Sequence, residues 1–200
     1  MALPIIMHIN YCEQGQTMDE VCQKAADWGF DGVEFRSKRT GAKETIAQYL
    51  DILAKAVERS GLKQVIFGGP GPDLMNSDSM VREHELEFQL NFFTGAASRF
   101  KLTVCNTLAG VMVNPDFSYG EYEKNGSAAA KEENWKWAAE GYKKLGQLAE
   151  KIGFKFAFET HMCYIHDMPA SAKKLADEIN SSAVGVNLDY GNQVYFRNTK

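Results

Sequence analysis

Residues 184–192 read VGVNLDYGN, a short apolar run that ends at an aspartate. Successive side chains of a β-strand point to opposite faces, so the run predicts a strand with one bulky face and one small or polar face. The bulky face carries Val184, Val186 and Leu188, and the other face carries Gly185, Asn187 and Asp189. The sequence therefore predicts a buried strand whose polar face ends in a carboxylate.

Three earlier segments divide their side chains in the same way. Their small or polar faces carry Ile6, His8 and Asn10, then Gly32, Glu34 and Arg36, then Ala157, Glu159 and His161. If the bulky faces pack against helices, the small and polar faces point toward a common axis. The charged residues then gather near the carboxyl ends of the strands.

Short apolar runs alternate with longer helical patterns six times along the chain, which predicts β-α units and a parallel sheet. The predicted strands are residues 5–9, 32–35, 64–67, 102–106, 155–159 and 184–189. Predicted helix ends include a capping box at Thr17, left-handed stops at Gly61 and Gly153, and a first turn that begins with Pro169.

The number of β-α units favours one architecture. A (β/α)8 TIM barrel needs about 250 residues, and the 200 residues of this sequence supply about six units. An open parallel sheet is the alternative, but it would leave hydrophobic strand edges unpaired. We therefore expect an α/β fold in which residues 1–200 form a single TIM-barrel domain that is C-terminally incomplete and lacks strands seven and eight.

One predicted connection is unusually long. Residues 108–130, after the fourth strand, contain three glycines, a proline and the aromatic residues Phe117, Tyr119 and Tyr122. Loops of this length are usually functional or disordered. Because the segment follows the carboxyl end of a strand, the sequence predicts a lid. Barrels of this type often pair through such loops, so a homo-oligomer is compatible with the sequence.

Composition excludes several kinds of partner. The formal net charge of −4 opposes the cationic surface that nucleic acid binding requires. The four cysteines are scattered without a C-x-x-C pair, which favours reduced thiols and a cytoplasmic location. The first ten residues lack both a basic region and a long apolar run, so we expect neither a signal peptide nor a membrane span.

Glu159 and Asp189 are the strongest candidates for chemistry. They end consecutive predicted strands, and neighbouring strands lie about 4.8 Å apart, so their carboxylates can reach a common point. Two buried carboxylates repel each other unless a cation lies between them. The pair therefore predicts one divalent metal ion, with Mn²⁺, Mg²⁺, Co²⁺ and Zn²⁺ as the candidates.

Other polar residues are candidate substrate contacts. They are His8, Glu34, Arg36, Asn106, His161 and Asn192. Glu34 and Arg36 could equally form an interior ion pair, and a lone histidine such as His8 is more often a hydrogen-bonded core residue. His161 could also orient a metal ligand. His84 and His166, beside predicted helix starts, are expected at the surface.

The sequence resembles the sugar phosphate isomerase/epimerase family of xylose isomerase-like barrels over its whole length. The likeness rests on three blocks: DWGFDGVEFR at 27–36, FAFETH at 156–161, and the stretch from Glu159 through HDMPASAKKLADEI to VGVNLDYGN. The last block is the most specific, because it joins a strand-ending Glu, a helix with a first-turn proline and a G-x-N-x-D-x-G run.

The resemblance implies a metal-dependent enzyme that acts on a sugar, sugar phosphate or polyol. In such proteins a Glu from strand five, an Asp from strand six, a His from strand seven and a Glu from strand eight hold the metal. Glu159 and Asp189 match the first two, and the other two have no counterpart in this sequence. The implied reaction is isomerisation or epimerisation through a metal-stabilised enediolate, with Glu159 as a catalytic acid or base.

Departures from related patterns narrow the implied function. Ketose 3-epimerases resemble E-x-x-N-R-x-E after strand five, where this sequence reads ETHMCYI, and they place a His where Asn192 stands. The stretches FGGPG and VCNTLAG lack the histidines of related DNA repair endonucleases. An inosose-type dehydratase, and a catalytically incomplete sugar-binding or scaffold protein, therefore remain as alternatives.

Overall fold

The computed structural model describes residues 3–8, 10, 14–37 and 43–196. Within these residues, six β-strands alternate with six α-helices. The strands are β1 (Ile6–Met7), β2 (Gly32–Arg36), β3 (Gln64–Gly68), β4 (Val104–Thr107), β5 (Lys155–Glu159) and β6 (Val184–Asn187). The helices are α1 (Met18–Asp27), α2 (Ile46–Ser60), α3 (Ser79–Ala97), α4 (Glu132–Ile152), α5 (Pro169–Ile179) and α6 (Tyr190–Gln193). The chain is therefore an α/β protein, as predicted.

All strand pairs in the described residues are parallel and follow chain order. One ladder joins β1, β2 and β3, and a second joins β4, β5 and β6. In the second ladder Asn106 lies opposite Ala157, and Glu159 lies opposite Asn187. β3 packs beside β4. This arrangement is six strands of a TIM barrel, and the described residues do not form a closed barrel.

The local signals that predicted helix ends are confirmed. The Thr17 hydroxyl accepts a hydrogen bond from the Glu20 amide, and the Glu20 carboxylate accepts one from the Thr17 amide at 2.8 Å. Gly61 and Gly153 end α2 and α4 in the left-handed conformation, with φ of 73° and 94°. Pro169 is the first residue of α5, where a helix amide needs no partner.

Three predicted strands are shorter in the structure, and one of them, β4, begins at Val104 instead of residue 102. β1 is described only over Ile6–Met7, and Ile9 lies outside the described residues. β6 ends at Asn187 instead of Asp189. The reason is local: the Asp189 carboxylate caps α6 by accepting hydrogen bonds from the amides of Gly191 and Asn192, which turns the chain out of the strand.

The core lies between the strands and the helices. The bulky face of β5 packs there, with the Phe156 ring 4.8 Å from Phe93 of α3 and the Phe158 ring 4.4 Å from Tyr142 of α4. Phe156 and Phe158 are fully buried. The predicted division of β5 into a helix-facing and an axis-facing side is therefore confirmed.

The long connection after β4 is ordered. Its backbone pairs with the loop after β5 through the Met112 amide and the Cys163 carbonyl, at 2.7 Å. Asn125 is fully buried and donates to the carbonyls of Ser118 and Glu121. Two 3-10 turns, Tyr122–Lys124 and Gly126–Ala129, complete it. The role of this segment as a lid stays a prediction.

Within the described ranges, no helix combines the length and apolar character needed to cross a membrane.

Candidate functional site

A cavity of about 490 Å³ opens among the six strands toward their carboxyl ends. Its walls are formed by Ile6, His8, Glu34, Ile66, Val104, Asn106, Ala157, Glu159, Val186, Asn187 and Asp189. Every strand contributes at least one side chain. The small and polar strand faces identified from alternation supply most of this lining, including the two carboxylates of the predicted metal pair. Val186, assigned to the bulky face of its strand, lines the cavity too and is 39% exposed, so β6 is buried only in part, contrary to the prediction.

Glu159 is held at the end of β5 by two amide groups. The Asn106 side-chain nitrogen donates to Oε2 of Glu159 at 2.5 Å, and the Asn192 side-chain nitrogen donates to Oε1 at 3.1 Å. Asn106 is itself oriented, because its Oδ1 accepts the Thr107 amide at 3.1 Å. Each carboxylate oxygen of Glu159 therefore has one fixed donor.

Asp189 is fixed from both its backbone and its side chain. Its amide donates to the hydroxyl of the fully buried Thr160 at 2.9 Å. Its Oδ1 accepts the amides of Gly191 at 2.7 Å and Asn192 at 3.2 Å. The first turn of α6 therefore determines the direction of this carboxylate.

The side-chain amide of Asn192 connects the two carboxylates. Its nitrogen lies 3.1 Å from Oε1 of Glu159, 3.0 Å from Oδ2 of Asp189 and 3.1 Å from the Thr160 carbonyl. An amide nitrogen carries two hydrogens. A single donor group thus lies within hydrogen-bond distance of both carboxylates, which shows that they converge.

The two carboxylates provide part of the ligand set that a hard divalent cation needs. Carboxylate oxygens are the ligands that Mg²⁺ and Mn²⁺ prefer. In the part of the chain that the structure describes, no group of three or more His, Cys, Asp and Glu side chains is arranged to hold a metal ion. Glu159 and Asp189 could hold a divalent ion as two carboxylate ligands, and both the ion and their role as ligands stay predictions.

The opposite wall of the cavity carries Glu34 and His8. Glu34 is only 7% exposed, and its Oε2 lies 3.7 Å from Nε2 of His8. A Cβ on Gly68 would overlap the Glu34 carboxylate, so this carboxylate lies directly against β3. The His8 ring is half exposed and its Nδ1 accepts the Asn10 amide at 3.1 Å, so His8 is not a buried core residue.

Two candidate substrate contacts lie away from the cavity wall. The Arg36 side chain packs beside Gly69, and Arg36 is not among the residues that line the cavity. His161 likewise does not line it, since its Nδ1 pairs with the Met162 carbonyl at 3.0 Å and its ring contacts Tyr164. Their roles as substrate contacts stay predictions, because neither residue lines the cavity.

The expectation that His166 lies at the surface is wrong. His166 is fully buried, and its ring joins the loop after β4 to the end of β5. The Ala109 amide donates to Nε2 at 3.1 Å, and Nδ1 lies 2.8 Å from the Glu159 carbonyl oxygen. Burial lowers the pKa of His166 to about 4, so the ring is neutral at pH 7. The apolar neighbour Ile165 was the signal that this segment is buried.

Sequence reasoning also missed Thr160 and Asn187 as site residues. Thr160 bonds the Asp189 amide, as described above. Asn187 lines the cavity, and its side-chain nitrogen lies 3.5 Å from Oδ1 of Asn106. The alternation of faces already placed Asn187 beside Asp189, so that pattern could have identified it.

Comparison with known proteins shows which sequences and folds this chain resembles. Curated inosose dehydratases from two Clostridium perfringens strains are 34% identical to the chain over 90 residues, which is 45% of the chain and 28% of the relative. The match therefore spans less than a third of the length of those relatives.

Solved structures share the fold at low identity. D-psicose 3-epimerase from Clostridium cellulolyticum H10, solved with D-tagatose, matches with a TM-score of 0.77 and 15% identity, over 99% of this chain and 67% of that one. The 3-keto-D-glucoside 4-epimerase from E. coli matches with a TM-score of 0.73 and 16% identity, over 98% of this chain and 72% of that one.

The family profile of xylose isomerase-like TIM barrels matches residues 22–199. This range includes five of the six strands and the whole Glu159, Asp189 and Asn192 cluster. The chain therefore belongs to the xylose isomerase-like TIM barrel family.

Proposed function

We propose that this protein is a metal-dependent isomerase or epimerase that transfers a proton at the carbon next to a carbonyl of a sugar, sugar phosphate or polyol. The observation that supports the proposal is the convergence of the Glu159 and Asp189 carboxylates on the Asn192 amide at the cavity. Converging carboxylates at the carboxyl ends of barrel strands occupy the place where enzymes of this fold carry their active sites.

Glu159 is the group that we assign to proton transfer. The amides of Asn106 and Asn192 hold its two oxygens in place. Each carboxylate oxygen has two lone pairs, so one amide donor per oxygen leaves capacity to accept a proton from the substrate. Removing a proton from the carbon next to a carbonyl gives an enediolate, and returning it to a different position or face completes isomerisation or epimerisation.

Glu159 and Asp189 are also the residues that would hold the divalent ion. When bound, such an ion supplies positive charge that stabilises the oxygens of the enediolate. On the opposite wall, His8 and Glu34 are placed to bind hydroxyl groups of the substrate, because both line the same cavity. Asn187, beside Glu159 in the ladder, offers a further amide for a hydroxyl group.

An inosose-type dehydratase is the second candidate. It is favoured by the curated relatives, which are inosose dehydratases. Dehydration would begin with the same proton transfer to Glu159. The electron pair of the broken C–H bond would then form a C=C bond as the hydroxyl group on the next carbon leaves with a proton as water.

Proton exchange in D₂O tests both enzyme reactions at their shared step. The full-length protein, supplied with Mn²⁺, would be incubated with ketohexoses, keto-glycosides and inososes and followed by ¹H NMR. We expect the ¹H signal of the hydrogen on the carbon next to the carbonyl to disappear. Product analysis then distinguishes an epimer or isomer from an unsaturated ketone. Glu159→Gln should strongly lower the rate of exchange. Binding of these sugars without exchange on any of them would contradict the enzyme proposal and favour a sugar-binding protein.

A further inference from the structure

His166 is a buried group that the proposed reaction does not use. It lies between the loop after β4 and the end of β5, and it is fully enclosed. Its ring packs against two other rings, with centroids 4.9 Å from Phe158 and 5.6 Å from Tyr164. The ring therefore has little freedom to rotate.

The backbone partners of His166 determine which ring nitrogen carries the hydrogen. The Ala109 amide can only donate, so Nε2 of His166 must accept and carries no hydrogen. The Glu159 carbonyl oxygen can only accept, so Nδ1 must donate to it. One neutral tautomer satisfies both contacts.

We propose that His166 is a positioning residue for Glu159. Its Nδ1–H holds the carbonyl group of the same residue whose carboxylate lines the cavity. Rotation of that peptide would also move the carboxylate away from the amides of Asn106 and Asn192. The inference rests on the proposed function in one respect, the assignment of proton transfer to Glu159.

The tautomer can be measured without any substrate. In ¹⁵N-histidine NMR spectra of the full-length protein, the signals of His166 are assigned by their loss in His166→Phe. At neutral pH we expect a neutral ring with its hydrogen on Nδ1. A ring protonated on both nitrogens, or one with its hydrogen on Nε2, would overturn the proposal.

Positioning of Glu159 can also be measured without turnover. The side-chain NH₂ signals of Asn106 and Asn192 report on their bonds to Glu159. We expect both to shift in His166→Phe, which keeps a ring but removes both hydrogen bonds. The control is Ser171→Ala, because Ser171 bonds Asp167 and Met168 in the same segment but does not bond Glu159. Equal shifts in the two variants would refute a specific role.

Kinetics test the consequence for the reaction. His166→Phe should lower kcat by about tenfold or more with little change in KM, since small displacements of a catalytic group are costly. His166→Gln should recover most of the lost kcat, because its carboxamide has an NH₂ group that can donate and an oxygen that can accept. An unchanged kcat in His166→Phe would overturn the proposal. If the wild type turns over no sugar, the proposed function fails, and the NMR measurements alone decide the positioning role.

Discussion

Asn192 donates from one side-chain nitrogen to Glu159 at 3.1 Å and to Asp189 at 3.0 Å, and so joins two carboxylates that would otherwise face each other. In the absence of a cation this amide helps to offset their repulsion, together with the Asn106 side chain on Glu159 and the backbone amides of Gly191 and Asn192 on Asp189. A neutral amide donor and a bound cation are therefore alternative partners for the same oxygens.

Replacing Asn192 should make the protein more dependent on a divalent cation. In Asn192→Ala both carboxylates lose a donor, so we expect the free energy of unfolding without metal to fall by about 1–3 kcal/mol. Mn²⁺ should raise the melting temperature of the variant more than that of the wild type, measured by calorimetry. Asn187→Ala is the control, because it also removes a side-chain amide from this site, but one whose contact is with Asn106. Equal stabilisation of wild type and Asn192→Ala by Mn²⁺ would contradict the prediction.

A side chain at position 68 should destabilise the folded protein while Glu34 is present. A Cβ there would overlap the Glu34 carboxylate, so we expect Gly68→Ala to lower the free energy of unfolding by about 1–3 kcal/mol in chemical denaturation. The matched control is Gly185→Ala on β6, where a Cβ meets nothing within 4 Å. Adding Glu34→Ala should recover part of the loss. A Gly68→Ala protein as stable as Gly185→Ala would show that the Glu34 carboxylate does not rest on β3.

Asp167 should make stability depend on pH. Burial raises the pKa of its carboxyl above the usual 3.8, against the lowering effect of hydrogen bonds from Ser127 and Ser171. The folded state therefore binds the proton more tightly than the unfolded chain. This stabilisation is complete below pH 3.8 and is lost as the pH rises through the folded-state pKa.

Asp167→Asn removes that titration. The free energy of unfolding of the wild type minus that of the variant should therefore decrease as the pH rises above 3.8, the usual pKa of the carboxyl. Urea denaturation at several pH values measures the difference. A difference that increases with pH would mean that the hydrogen bonds, and not burial, dominate the pKa of Asp167.

Glu159→Gln should separate folding from chemistry. The glutamine oxygen can still accept one of the two amide donors, so most of the fold is retained, but the side chain can no longer accept a proton. We expect proton exchange next to the substrate carbonyl to fall by about 10²–10⁴-fold. Glu123→Gln, in a 3-10 turn of the long connection, serves as the surface control. Exchange at the wild-type rate in Glu159→Gln would exclude Glu159 as the acid or base.

Alternation along strands predicted much of the cavity lining, because side-chain direction in a strand is a local property. Glu34, Glu159 and Asp189 were identified in this way and line the cavity, but Arg36 from the same face as Glu34 does not. The capping box at Thr17 was predictable for the same reason, since its two partners are three residues apart.

Contacts between distant segments could not be predicted in this way. His166 bonds Ala109, 57 residues earlier, and the Asn192 amide reaches Glu159, 33 residues earlier. Neither pairing leaves a periodic pattern in the sequence. The end of β6 was also misplaced, because the capping of α6 by Asp189 competes with continuation of the strand.

The cavity walls belong to two separate ladders. His8 and Glu34 stand on the β1–β2–β3 side, while Glu159 and Asp189 stand at the carboxyl ends of β5 and β6. The ladders meet where β3 packs beside β4, next to buried Cys105, and burial raises the pKa of that thiol to about 12. Because β3 and β4 belong to different ladders, the spacing of the two walls depends on side-chain packing between these strands and not on a described ladder of hydrogen bonds.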